Sequence, residues 1–498
     1  MGFSALDYAV LVIYLVGITV FGMMFRRTQR TVKDYFVGAR RTHWLVISLS
    51  IVATETSTLT LIGIPALAYS TYAHPEQGGT YTYLQVVAGY IVARVIISLL
   101  FIPAYFQGEL LTAYELLHRR FGERTKHVAA SLFLVMRALA EGVRVFSASL
   151  VLSAVLQASV PGLPHLWLWS IIAVGMLTLI YTFEGGIAAV IWTDLIQLII
   201  YVAGSLLAAW MLLQLVPGGW AAIVEAGRAA DKFQILSFST DLKLEFTFWA
   251  GLIGGTFLTM ASHGTDQLLV QRLFTCKNMK DAQKALVTSG FIVLFQFALF
   301  LTVGVMLYAY YQHAPLPTLT TNDGIFPHFI VTSLPHGVAG LVIAAIFAAA
   351  MSNLSGSLNS LASTTIIDFY KPLFGSRHSE AGTLKLSRWV TAGWGIVLIG
   401  IAIVAKDWGS VFTAGLSIAS LVYGPMLGAF LMGVLTRRAN QTGVITGMSV
   451  SLGAMLLVKW FTPLAWTWYV VTGTLICVTV GMIVSAATTA RTASQPPA

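Results

Sequence analysis

Apolar runs of about 20 residues, divided by short clusters of charge, follow one another along nearly the whole chain, and about 20 residues of helix is the length that crosses a bilayer. In order they predict thirteen helical spans, near residues 5–25, 44–70, 80–107, 127–157, 165–183, 187–215, 246–270, 285–312, 336–367, 386–405, 409–435, 441–461 and 465–487. Runs such as Ile292 to Leu307 are continuous. An outer-membrane barrel needs spans of roughly ten residues that alternate apolar with polar, so that architecture is excluded and an all-α polytopic membrane protein is expected.

Two spans are interrupted. Ala53-Thr54-Glu55-Thr56-Ser57-Thr58 breaks the second, and Ala261-Ser262-His263-Gly264-Thr265-Asp266-Gln267 breaks the seventh, five spans later. Broken helices at matching places in two five-helix units are the trace of an inverted repeat, in which unwound backbone near the midplane binds ligands and ions. The boundaries that follow are an extra first helix at 5–25, a first repeat at 44–215, a second at 246–435 and two further helices at 441–487. Together they make one transmembrane domain, 1–487, with a disordered cytoplasmic tail at 488–498. A single Ser or Thr in a span usually bonds back to the preceding turn. Five hydroxyls and a carboxylate within residues 54–60 exceed that habit and mark a site.

Composition agrees with the pattern: of 498 residues, 57% are hydrophobic and 10% charged, too apolar for a soluble chain of this length. The net charge of +9 has no extended basic face behind it, so topology explains it better than a nucleic-acid partner. Of the 29 Lys and Arg, 21 fall on one side of the expected bundle, Arg228, Lys232, Lys243, Lys406 and Lys459 fall on the other, and Arg94, Arg137 and Arg144 lie within spans. The positive-inside rule then puts the N-terminus outside and the C-terminus in the cytoplasm. Arg26, Arg27 and Arg30 follow the first span instead of preceding it, opposite to the order in a cleavable signal peptide, so that span is expected to be retained. Two cysteines, Cys276 and Cys477, build neither a disulfide framework nor a thiolate metal site.

The charges inside the spans carry the candidate chemistry. Arg137, Glu141 and Arg144 stand four and three residues apart, which stacks them on one helical face. Arg137 and Glu141 are expected to neutralise each other, leaving Arg144 to face either Glu55 or an anionic group of a solute. Asp194, in an apolar run, costs roughly 2.5 to 3.5 kcal/mol on insertion scales and needs a partner. Arg94 is expected to pair structurally in the cytosolic half. A lone histidine in a span, as His263 is, is more often structural than functional. No HExxH, GxSxG, Walker loop or paired histidine cluster occurs, so an enzyme is excluded, and polar groups gathered at one depth argue against a channel.

Three ordered motifs resemble the sodium:solute symporter family, and the likeness covers nearly the whole chain. They are Tyr181-Thr182-Phe183-Glu184-Gly185-Gly186 with Ala188 to Asp194 and Gln197, then Asp266-Gln267 with Gln271-Arg272, and then Ala349-Ala350-Met351-Ser352-Asn353 through Asn359-Ser360 to Asp368-Phe369-Tyr370. The resemblance implies a LeuT-type 5+5 inverted repeat, with one extra helix before the core and two after it, working by alternating access. It implies a sodium site made of the backbone carbonyls of Ala53, Thr56 and Ala349 with the side chains of Ser352 and Asn353, where the family usually has a second hydroxyl at the place of Asn353. Sodium is a hard cation that exchanges its hydration shell for a small cage of oxygens, and such a set supplies them. A second sodium site would use Asp194, Ser352 and Ser355, with Gly356 where some members carry serine.

The same resemblance implies that a solute meets Glu55, Ser57 and Thr60 from the broken helix and Gln85 from the third span, with His263 at a gate position. In members that carry sialic acid an arginine of the fourth span holds the substrate carboxylate; Arg144 or Arg137 is its counterpart. The function implied is sodium-coupled import of a small polar organic solute, a sugar, a sialic acid or another carboxylate, in the cell inner membrane. Sodium is the co-transported ion and no organic cofactor is expected. A monomer within the lipid bilayer is expected, with proton coupling through Asp194 or Glu55, or a transport-like sensor, as the alternatives.

Overall fold

The computed structural model describes residues 3–493 except 39, 41, 73, 109, 160–163, 317, 318, 320, 321, 375–378 and 408–410. Its long helices are α1 (Ala5–Met23), α2 (Trp44–Glu55), α3 (Thr58–Tyr69), α4 (Leu84–Tyr105), α5 (Glu123–Ser159), α6 (Leu166–Leu215), α7 (Gly255–Gly264), α8 (Gln267–Phe274), α9 (Met279–Tyr310), α10 (Val338–Thr364), α11 (Glu380–Val404), α12 (Val411–Leu435), α13 (Gln441–Phe461) and α14 (Tyr469–Ala493). Among the described residues there is no strand, only one isolated bridge between Thr42 and Cys276.

Among the described residues nine helices are long and apolar enough to cross a membrane, ten if the bent pair α2 and α3 is counted as one span. Two further expected spans differ for local reasons. The helix over 127–157 carries Arg137, Glu141 and Arg144. The span at 246–270 divides into a π-turn at Ala250–Gly254 followed by α7 and α8, while those at 165–183 and 187–215 are present as the two halves of α6, which meet at the non-helical Gly186. At the C-terminal end α14 continues to Ala493, past the expected start of a disordered tail at 488; residues 494–498 of that tail lie outside the described residues.

The second span breaks as expected. α2 ends at Glu55, α3 starts at Thr58, and their axes differ by 65°. Thr56 and Ser57 between them are extended, so the last carbonyls of α2 and the first amides of α3 have no partner within a helix. Asp266 separates α7 from α8 in the same way and caps α8 by accepting from the Leu268 amide at 2.9 Å. The kink in α6 needs glycine: Gly186 has φ 54° and ψ −154°, and a Cβ there would lie 2.6 Å from the Tyr35 carbonyl oxygen. The hydroxyl of Tyr35 donates to the Thr182 and Phe183 carbonyls at 3.2 Å, covering oxygens that the kink exposes.

α10 is the central helix, buried along nearly all of its length, and it packs on α6, α5, α2 and α8. Its seam of Ser352, Asn353, Ser355, Ser357, Asn359, Ser360 and Ser363 therefore faces protein and not lipid. The apolar side chains that do face outward, such as Ile13, Leu99, Phe295, Ile396 and Ile483, form the belt a bilayer covers. α1 lies against α6 and α10, where the buried carboxylate of Asp7 accepts from the amides of Gly337 (2.6 Å) and Gly340 (2.8 Å) at the start of α10.

Candidate functional site

The break between α2 and α3 faces α10, and around that junction stand four arginines and four acids, all but Arg144 and Glu55 buried. Which arginine meets which acid decides what remains for a ligand. Asp194 of α6 and Arg272 of α8 form an ion pair at 3.0 Å with both side chains wholly buried. Asp194 also accepts from Ser352 (2.5 Å), Ser50 (2.6 Å) and Thr54 (3.3 Å), so its oxygens are all engaged. Arg272 is further held by the Leu268 carbonyl at 2.6 Å and Ser50 at 3.0 Å. A Cβ at position 356 would lie 2.7 Å from this guanidinium, so Gly356 provides the room for it. Ser355 turns to its own helix and donates to the Ser352 carbonyl at 3.0 Å.

Arg137 pairs with Asp266 at the second break, not with Glu141, and Tyr423 of α12 bonds to both at 3.0 and 2.8 Å. The expected Arg137–Glu141 pair fails because Arg137 finds a carboxylate arriving from another helix. Glu141 instead accepts from Ser357 of α10 at 2.9 Å. Glu55 is likewise not the partner of Arg144. Its carboxylate pairs with Arg94 of α4 and lies 3.5 Å from His263 Nε2. A guanidinium only donates, so His263 accepts from Arg94 at Nε2 (3.1 Å) and carries its proton at Nδ1, bonded to Ser262 at 2.9 Å. His263 thus belongs to a charge cluster that also positions Glu55.

Arg144 stands apart from the other three. Its side chain is 22% exposed, its nearest acid among the described residues is Glu141 at 3.5 Å, and its Nε is buried without a partner. Its one close bond runs from Nη1 to the amide oxygen of Asn353 at 2.9 Å. The amide nitrogen of Asn353 donates to the Thr54 carbonyl at 2.6 Å, tying α10 to the broken span. Ser57 and Thr60 face each other across 3.5 Å at the start of α3, with Thr60 partly exposed. Gln85 is elsewhere. Its side chain is spent on the backbone of Thr82 (3.2 Å), Phe246 (2.8 Å) and Ser237 (3.0 Å), so it ties the segment before α7 to α4 and has no group free for a solute.

The sequence shows Arg272 only within the Asp266-to-Arg272 motif and names no partner for Asp194. The only trace of their pairing was that each is a charge beside an apolar run. Gln296 of α9, which donates to the Thr56 hydroxyl at 2.5 Å, was not foreseen either, because one amide in a long apolar helix carries no pattern. Among the described residues no group of three or more His, Cys, Asp and Glu could hold a transition metal. The oxygens gathered at the break are carbonyls, hydroxyls and an amide, a donor set that suits an alkali cation.

An unwound segment beside buried charges in fixed pairs, with one partly free arginine next to it, is an arrangement suited to holding a small solute and an alkali cation. The chain belongs to the sodium:solute symporter family, whose model matches residues 35–451, and it is a sodium-coupled secondary transporter. It is 32% identical over 488 residues to the sodium/sialic acid symporter SiaT of Proteus mirabilis, covering 97% of this chain and 95% of that protein. It is 30% identical to sodium-coupled monocarboxylate transporter 2 of Bos taurus, covering 92% of this chain and 72% of that protein. The solved structure of a sodium-coupled sialic acid symporter, substrate-bound and outward-open and described as revealing a novel sodium site, superposes with a TM-score of 0.86 at 31% identity over 97% of this chain and 98% of that one.

Proposed function

We propose that this protein imports a small organic carboxylate, a sialic acid or a related acid, with sodium by alternating access across the cell inner membrane. The observation that carries the reading is Arg144: a partly exposed guanidinium at the depth of the helix break, without a close acid of its own, beside hydroxyls of α3. A solute carboxylate would complete it with a charge-assisted bond. Glu55, Ser57 and Thr60 line the solute side, with His263 acting through Glu55. Sodium sits at the carbonyls of Ala53, Thr56 and Ala349 with Ser352 and Asn353. A second ion at Asp194, Ser352 and Ser355 would have to displace Arg272, so one sodium per solute is the stoichiometry proposed. The chain acts as a monomer, with its N-terminus outside and its C-terminus in the cytoplasm.

The test is a melting series in detergent with N-acetylneuraminate, short monocarboxylates and neutral sugars, each in sodium and in a potassium control. A true solute stabilises the folded state by mass action. Carboxylates are expected to raise the midpoint in sodium only, and Arg144→Gln to weaken that binding about ten- to a hundredfold. Stabilisation by neutral sugars alone, or an unchanged response in the variant, would end the carboxylate reading. Uptake into proteoliposomes driven by a sodium gradient, and not by a proton gradient, tests the coupling ion.

A further inference from the structure

The sodium cage proposed above shares one atom with the arginine proposed to bind solute. The amide oxygen of Asn353 accepts from Arg144 at 2.9 Å, while the amide nitrogen is fixed on the Thr54 carbonyl at 2.6 Å. The amide cannot flip, because reversal would set its NH2 against a guanidinium and its oxygen against a carbonyl. While Arg144 holds that oxygen, one of its two lone pairs is taken by a positive charge, and a sodium ion drawing on the same oxygen meets like-charge repulsion in poorly screened surroundings. A serine or threonine hydroxyl at this place would be too short to serve both partners.

Arg144 is also the arginine of this cluster best able to leave. Arg94, Arg137 and Arg272 each contact a carboxylate and are at most 3% exposed, whereas Arg144 is 22% exposed and has only a long 3.5 Å contact to Glu141 and a neutral acceptor in Asn353. A carboxylate is the stronger acceptor and would draw the guanidinium off the amide. We propose that the Arg144–Asn353 hydrogen bond is the element that couples solute to sodium: Arg144 masks the Asn353 oxygen until a solute carboxylate takes the guanidinium, and the freed oxygen then joins the cation. The inference rests on the carboxylate reading. By linkage each ligand must raise the affinity of the other by the same factor.

Sodium affinity is measured on purified protein by titration calorimetry, with and without saturating N-acetylneuraminate. Wild type is expected to bind sodium about tenfold or more tightly when the acid is present. Asn353→Ser, which restores a hydroxyl that Arg144 cannot mask, is expected to bind sodium alone more tightly than wild type and to lose most of the coupling, to within about twofold. Arg144→Gln supplies an arm that needs no solute, since removing the mask should raise the affinity for sodium alone. Coupling in Asn353→Ser equal to wild type, or no gain in sodium affinity in either variant, overturns the proposal. If N-acetylneuraminate fails to bind wild type while both variants gain sodium affinity, the choice of solute is wrong and the mask stands.

Discussion

Asp194 shows how much one contact changes a residue's meaning. As an isolated carboxylate in an apolar run it is a natural sodium ligand, but with Arg272 at 3.0 Å and three hydroxyls around it, the same group is a neutralised buried pair. Breaking such a pair on one side leaves an uncompensated charge, at a cost of about 3 to 5 kcal/mol. Asp194→Asn is therefore expected to lower the melting midpoint sharply, and adding Arg272→Met is expected to recover much of the loss. If Asp194→Asn instead keeps its stability and loses one sodium per cycle, the second ion site exists. Arg144 and Asn353 teach the complementary lesson, since their mutual contact lies between two expected sites that the sequence treats separately.

At the scale of elements, the broken span was the most legible feature. The cluster of hydroxyls at residues 54–60 announces it, because helix geometry fails locally where backbone bonds compete with side chains, whereas the positive φ of Gly186, where two expected spans meet, is seen only in the structure. Gly186→Ala places a side chain in a region of backbone space that is essentially reserved for glycine and against the Tyr35 carbonyl. The expected cost is about 1 to 3 kcal/mol, read as a lower melting midpoint in detergent. Tyr35→Phe, which uncovers two carbonyls but keeps the backbone, should cost less, and the reverse order would refute this account of the kink.

The C-terminal end of α3 depends on a residue that counted only as a loop charge. Lys232 is buried, and its ammonium donates to the carbonyls of Ala68 (3.0 Å), Tyr69 (3.2 Å), Ser70 (3.0 Å) and Gly79 (3.2 Å) beneath the Tyr308 ring at 4.1 Å. These partners are neutral, and burial pulls its pKa from 10.5 down to about 8. Between those values the unfolded chain holds the extra proton, so stability rises with pH through that window, while below about pH 8 the cost of burying the ammonium is present in full. Melting curves from pH 7 to about 10 should show wild type gaining on Lys232→Met as pH rises. A gain in the opposite direction would mean that the carbonyls hold the proton more tightly than burial repels it.

For the whole molecule, the charge asymmetry of the loops makes a prediction that contacts do not touch. Single cysteines introduced near the N-terminus and in the segment 231–243 are expected to react with a membrane-impermeant maleimide from outside intact cells. One introduced at Arg437 is expected to react only after permeabilisation. Labelling of Arg437→Cys in intact cells would invert the topology. The experiment requires Cys276 and Cys477 to be silent, and both are buried.

The order of apolar runs, the two interruptions and the placement of basic loops are local properties of the chain, and by themselves they determined a helical membrane protein with a broken second span; the inverted repeat and the site at its break are what they lead one to expect. Chain spacing also fixed which residues share a helix face, as with Arg137, Glu141 and Arg144. It did not determine partners across helices, because every buried charge seeks the nearest opposite charge and that neighbour is set by where helices cross. Only the tertiary structure decided that Arg94 takes Glu55, Arg137 takes Asp266, Arg272 takes Asp194, and Arg144 is left with an amide. In a low-dielectric interior a charge that has found its partner is spent. The remaining one, Arg144, is the group proposed to meet a solute.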